Sequence, residues 1–270
     1  MWADIVTFPR LTNLEFAMGP STVLPALGGA NVPSTKIPLP RSLARLGLRV
    51  RSAVQLSVID MDLISRIPLV CVAPESESIW LAEDIVSPFL SHVFPHPDEI
   101  EAILSDDSVS FRIINREHNR TRTRAFLNVA SAAIAHSSLW ESTFGIVTSL
   151  TLYISADFLK RSGAAACSNV EHLTVVLEKP PDNDLPDLWM ILPKLRTLTL
   201  ALAYPHRLVL AADAVTAFLS RLGYKAPKLD TICFRGTVVP APAEAFYRVA
   251  EEVRIDRDRS LSFPNLWEEI

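Results

Sequence analysis

The chain has 270 residues, a net charge of −4, 49% hydrophobic and 21% charged residues, which is enough for one large domain or two small ones. That balance excludes a disordered chain, and a pI of about 5.9 excludes a general basic field for nucleic acid or an acidic membrane. Twenty prolines against eight glycines leave little material for a phosphate-cradling loop, and neither G-x-G-x-x-G nor G-x-x-x-x-G-K-[ST] occurs.

In chain order, the opening MWADIVTFPRL lacks the basic start, apolar core and cleavage site of a signal peptide. The first predicted element is a strand in FPRLTNLEF, where Leu11, Leu14 and Phe16 form the pattern L-x-x-L-x-L. RSLARLGLRV repeats it with Leu43, Leu46 and Leu48. Residues 51–145 follow the pattern poorly. There RIPLVCV reads as an edge or end strand, because Pro68 lies in the run. AEDIVSPFLSHVF reads as a helix interrupted before Pro88, SVSFRIIN as a strand and TRTRAFLNVASAAIAHSSLW as a helix.

The pattern then returns in GIVTSLTLYI (Val147, Leu150, Leu152), SNVEHLTVVL (Val170, Leu173, Val175), LPKLRTLTL (Leu195, Leu198, Leu200) and APKLDTICF (Leu229, Ile232, Phe234). The middle apolar positions, 14, 46, 150, 173, 198 and 232, are separated by 32, 104, 23, 25 and 34 residues. The long interval has room for three or four further units. FPRL, LPKL and APKL share a lead-in of proline, basic residue and leucine, which ends the preceding element and admits an extended one. Helices are predicted in SADFLKRSGAAAC, DLPDLWMI, AADAVTAFLSRLGY and PAEAFYRVAEEV, the third with Val215, Phe218, Leu219 and Leu222 on one face and the last with Pro242 at its start. Repeated strand-then-helix units give neighbouring parallel strands.

Over residues 1–50 and 145–240 these motifs resemble the leucine-rich repeat family, and the proline-rich, variable units are similar to the repeat regions of fungal F-box-type proteins, although no F-box is visible. The resemblance implies an α/β fold: one irregular horseshoe solenoid over 1–270, with a parallel concave sheet, helices on the convex side and a degenerate middle at about 51–145. A two-domain split near residue 75 is the alternative. The family's Asn or Cys three residues after the motif is replaced by Gly19, Arg51, Ser155, Glu178, Ala203 and Thr237, which implies irregular turns. The FPRL and FPNL segments near the two ends read as cuts through an array, so self-association or help from a missing adaptor-binding segment is expected.

Chemistry-bearing constellations are sparse. Cys71, Cys167 and Cys233 lack metal-ligand or disulfide spacing and read as buried thiols, although Cys233 beside Arg235 leaves a reactive thiol open. His92 and His96 stand four apart near Asp98 and Glu99, but Pro95 and Pro97 spoil the helix that would aim them at zinc. No nucleophile elbow or triad spacing is present. Arg112, Arg116, Arg120, Arg122 and Arg124 form the one dense basic run, and the acidic stretch upstream predicts that it is paired within the chain. No catalytic residue, metal or cofactor is expected.

A solenoid would display the alternate strand residues on its concave face. Thr151, Thr174 and Thr199 should share one column there, with Tyr153, His172 and Arg235 as surface anchors for a protein partner. The resemblance implies a cytoplasmic or nuclear substrate-recognition part of a ubiquitin-ligase receptor, with neither nucleic acid nor membrane as partner. The competing reading is a hydrolase- or transferase-like α/β enzyme. Strand order separates the two: sequential neighbours for a solenoid, a reversal with a pocket for an enzyme.

Overall fold

The computed structural model describes residues 10–17, 39–50, 59–74, 89–90, 97–105, 108–127, 145–155, 164–178, 185–186, 189–203, 208–236 and 238–257. Among them, eleven strands form one open sheet: β1 (Asn13–Ala17), β2 (Arg45–Val50), β3 (Leu69–Pro74), β4 (Glu99–Leu104), β5 (Ser108–Asn115), β6 (Arg120–Leu127), β7 (Ser149–Ile154), β9 (His172–Leu177), β11 (Thr197–Leu202), β13 (Leu229–Arg235) and β15 (Ala250–Asp256). Their spatial order is β1-β2-β3-β6-β5-β4-β7-β9-β11-β13-β15. Only β5 runs antiparallel to its neighbours. The chain is thus a mixed α/β protein dominated by a large, mostly parallel sheet with few helices.

The leucine pattern sets this register. Leu150, Leu173, Leu198 and Ile232 are successive ladder partners, and Leu152, Val175, Leu200 and Phe234 repeat the match two residues on. Strand side chains alternate between faces, so both sets point to the same core. All of them are buried, as are the lead-in residues Val147, Val170, Leu195 and Leu229. At the other end of the sheet Leu14 pairs with Leu46, and Leu46 with Val70.

The lead-ins form turns. Leu195 N–H donates to the Leu192 carbonyl, Val170 to Cys167 and Leu43 to Pro40. Two consecutive amides of each new unit then donate to one carbonyl of the last: Glu171 and His172 to Thr148, Arg196 and Thr197 to Glu171, Asp230 and Thr231 to Arg196. Side chains tie the turns together, Asn169 Nδ2 to the Gly145 carbonyl and Lys194 Nζ to Asn169 Oδ1, both at 2.6 Å. The basic residue of the lead-in is therefore part of a turn ladder, and Lys228 Nζ likewise reaches the Tyr247 carbonyl.

Several expectations are corrected. β3 is an interior strand between β2 and β6, because Pro68 precedes its first paired residue and removes no ladder donor. TRTRAFL is not helical; it is β6, paired with β5 through a turn at 116–119 in which Asn119 takes φ +48°, a left-handed position that asparagine tolerates. Behind the core, DLPDLWMI ends in β10 (Trp189–Ile191), which pairs with β8 (Ala164–Ala166), near the end of the predicted SADFLKRSGAAAC helix. β12 (Leu208–Ala211) pairs with β14 (Val238–Ala241). β8 and β10 thus occupy places expected to be helical, because extended segments one unit apart satisfy each other's backbone groups.

Two helices agree in part. Ala212–Ser220 (which follows β12) buries Val215, Phe218 and Leu219 as its spacing predicted. PAEAFYRVAEEV splits into a 3-10 helix, Ala243–Arg248, and the edge strand β15, which beyond Ala250 is exposed or half-exposed on both faces. Helix α1 (Met61–Arg66) precedes β3, with Asp60 capping it through the Asp62 amide. Strand order is not sequential throughout: the meander β4-β5-β6 is inserted backwards between β3 and β7. His92 and His96 lie outside the described residues.

Candidate functional site

The face of the large sheet turned away from the leucine core carries the predicted strip. Because parallel neighbours are in register about 4.8 Å apart, its residues fall into rows across the strands. One row runs Glu101, Thr151, Thr174, Thr199, Cys233, so the three threonines do share one column. The next runs Ile103, Tyr153, Val176, Ala201, Arg235. At the amino ends lies a third, with Glu99, Ser149, His172, Thr197 and Thr231.

The expectation of an exposed strip fails in part. Tyr153 is only 6% exposed, and Thr151, Thr199 and Cys233 are buried as well. Tyr153 packs with Ile103, Val176 and Ala201 in a second apolar cluster, separate from the main core. Short side chains in adjacent rows shield one another, and a tyrosine ring covers the valine beside it more readily than it reaches solvent. His172 is exposed, and Thr174 and Arg235 are half-exposed. Tyr153 and Arg235 stand three strands apart in their row, roughly 14 Å, so the three anchors do not converge on one point. Arg235 keeps its Nε buried without a hydrogen bond.

Charge on this face lies at the meander and on the outer strands, where Glu15 pairs with Arg49 and Glu252 with Arg254. Arg112 Nη1 bonds Glu101 Oε2 at 2.9 Å across β4 and β5, a half-buried pair one row from Tyr153. Burial first, and then the Glu101 carboxylate, push the Tyr153 phenol up to about 12. Tyr153 is therefore a neutral hydrogen-bonding group at ordinary pH, not a base. Arg116 pairs with Glu99, which raises its pKa further, and its amide donates to Asp98 Oδ2 at 2.6 Å. The acidic stretch upstream does pair with Arg112 and Arg116, as the charge pattern predicted. Arg122 Nε donates to the Ser65 carbonyl, while Arg120 is exposed.

Arg124 is the residue that sequence reasoning missed. It occupies the ladder position that Leu46 and Val70 hold on β2 and β3, and it is fully buried. Its Nη1 donates to the Ile67 and Thr123 carbonyls at 3.0 and 2.8 Å, and its Nη2 to Ile64 at 3.1 Å. Burial lowers its pKa to about 9, with the Arg122 charge adding to the shift. A basic residue where the repeat expects leucine was the available signal.

No family model, curated protein or solved structure matches this chain. What the face can do follows from its groups alone. Among the described residues no three His, Cys, Asp or Glu side chains converge on a metal position. The three cysteines are free and buried, and burial pushes Cys71 up to about 11, which makes it a poor nucleophile. Ser155, at one of the substituted turn positions, has a buried Oγ without a partner, so it supplies no side-chain ladder there. The face offers apolar contact flanked by paired and unpaired charge.

Proposed function

We propose that the chain is an irregular leucine-rich-repeat solenoid that binds a protein across the open face of its large sheet. It would act as the substrate-recognition part of an F-box-type ubiquitin-ligase receptor, with the adaptor contacted through a segment beyond these 270 residues. The observation that carries this reading is the run β7-β9-β11-β13-β15. Its strands are sequential and parallel, all but the edge strand β15 are buried on one side, and turns tie their amino ends. Such stacking builds a long surface rather than an enclosed site. The accessible part of that surface is the row through His172, with Thr174 and Arg235 beside it and Glu252 and Arg254 on β15.

The reversed order β3-β6-β5-β4-β7 is the feature that the enzyme reading requires. In its favour stands only the reversal. One cavity formed by described residues lies at the amino ends of β2 and β3, whereas open α/β enzymes bind substrates at the carboxyl ends. The reading is therefore binding rather than catalysis, in the cytosol or nucleus, with a protein and neither nucleic acid nor membrane as partner. Among the described residues no helix is long and apolar enough to cross a membrane.

The test is capture of binding proteins by the wild type and by a His172→Ala, Arg235→Ala double variant. Tyr153 is left unchanged because it is buried. A partner lost from the variant at unchanged thermal stability supports the reading, and co-captured ligase adaptor would extend it to ubiquitin chemistry. An unchanged set of captured proteins would move the interface elsewhere.

A further inference from the structure

Before β2 and β3 enter the sheet, the segment Leu39–Leu43 and helix α1 line a partly open hollow of about 260 Å³. Leu39, Pro40, Leu43, Leu63 and Ile67 give it an apolar lining, and Arg41 and Arg66 stand at its wall. Both arginines are exposed, and neither has a hydrogen bond or ion pair among the described residues. That is unlike Arg112 and Arg116, which are paired with carboxylates.

The surroundings do not use these two charges. Helix α1 ends beside the cavity, and its last carbonyls would ordinarily draw in a basic side chain. They are already occupied: Ile64 and Ile67 by Arg124, and Ser65 by Arg122. Arg66, in the same last turn, is left without that task. The acids of α1 sit at its far end, where Asp60 accepts the Asp62 amide. Two guanidinium groups therefore occupy the carboxyl end of a six-residue helix, and Arg41 and Arg66 line an apolar hollow with no carboxylate partner among the described residues.

From this we infer an unassigned binding site for a small apolar group carrying a terminal carboxylate. The volume sets the size, since pockets for drug-sized ligands run from roughly 300 to 1,000 Å³. One short acyl chain, or one apolar side chain, fills the hollow. The carboxylate lies between Arg41 and Arg66, where planar guanidinium groups bond it in paired fashion. Two sources share this chemistry: a free short-chain acid, and the C-terminal residue of a protein. The site is separate from the open face and does not depend on the reading of that face.

Titration calorimetry on the full chain tests it with hexanoate, with hexanamide, and with a short peptide ending in leucine as free acid or amide. Saturation by a carboxylate near ~1 mM is expected for so small a ligand. The matching amide should bind about tenfold more weakly, and an Arg41→Gln, Arg66→Gln double variant should lose a similar factor. Both positions are exposed, so an unshifted thermal midpoint will show that the variant is folded. Tighter binding of the peptide acid assigns the site to a protein C-terminus, and tighter hexanoate binding assigns it to a free acid. No saturation by either acid to about 10 mM, equal binding of acid and amide, or full binding by the folded variant would overturn the inference.

Discussion

The run β7-β9-β11-β13 and the meander β4-β5-β6 use the same sheet in different ways. In the first, every connection is a crossover, every strand is parallel, and each ladder position facing the core carries an aliphatic or aromatic residue. In the second, tight turns join antiparallel strands, and the core-facing ladder passes through Arg124 and Phe111. Antiparallel neighbours can be linked by a few residues, whereas parallel ones need a long return. The meander can therefore sit in the sheet backwards and still restore parallel pairing on both flanks. The lesson is that register survives a change of connection and of residue type, provided that each buried polar group finds a partner. Arg124 does so at both terminal nitrogens, with the Ile64, Ile67 and Thr123 carbonyls, and leaves only its Nε without a partner.

The largest effect is expected inside the regular run. Leu198→Ala should lower unfolding free energy by about 2–5 kcal/mol, read as a shifted urea midpoint. An unmoved midpoint would show that the leucine column is not what holds the strands in register. Next comes Arg124→Leu, which restores the residue type of the column. It relieves a desolvated charge but strands the Ile67 carbonyl, while the Ile64 carbonyl keeps the Ile67 amide, so a net loss of about 1–3 kcal/mol is expected. A gain in stability would mean that the meander tolerates Arg124 rather than depends on it.

Smaller effects sharpen the seam between the two regions. Tyr153 and Cys71 both hold their protons more tightly when folded, chiefly through burial, at about 12 and 11 against ordinary values of 10.0 and 9.0. The folded state then binds more protons than the unfolded state in that alkaline range. Their stabilising share is complete below about pH 9 and is lost as pH rises towards 12. Tyr153→Phe should flatten the alkaline limb of a stability–pH curve, and a limb unchanged by the substitution would point to other groups. Smallest is the turn ladder: Lys194→Met removes an exposed bond to Asn169 and should cost no more than about 1 kcal/mol by chemical denaturation.

Local pattern was enough for the regular run. The L-x-x-L-x-L spacing encodes a strand and its buried face at once, so strand position, register and the threonine column followed from it. The α helix at Ala212–Ser220 followed from its spacing in the same way. The pattern failed where two structures share one composition. TRTRAFL has no apolar period that separates helix from strand, and only pairing with β5 makes it β6. WMI is too short to carry a period, and its partner lies 25 residues earlier in the chain. At the candidate site, alternation placed Tyr153, Thr151 and Thr199 on the correct face but could not give their exposure, which neighbouring rows decide.

Spacing along the chain fixed the core face, the parallel register of the four units β7, β9, β11 and β13, and the pairing of Arg112 and Arg116 with upstream acids. Tertiary structure alone decided the backward meander, the strands behind the core, the shielding of Tyr153, and the burial of Arg124 against α1. Each of those depends on contacts between segments far apart in sequence, whose free energies no local period records.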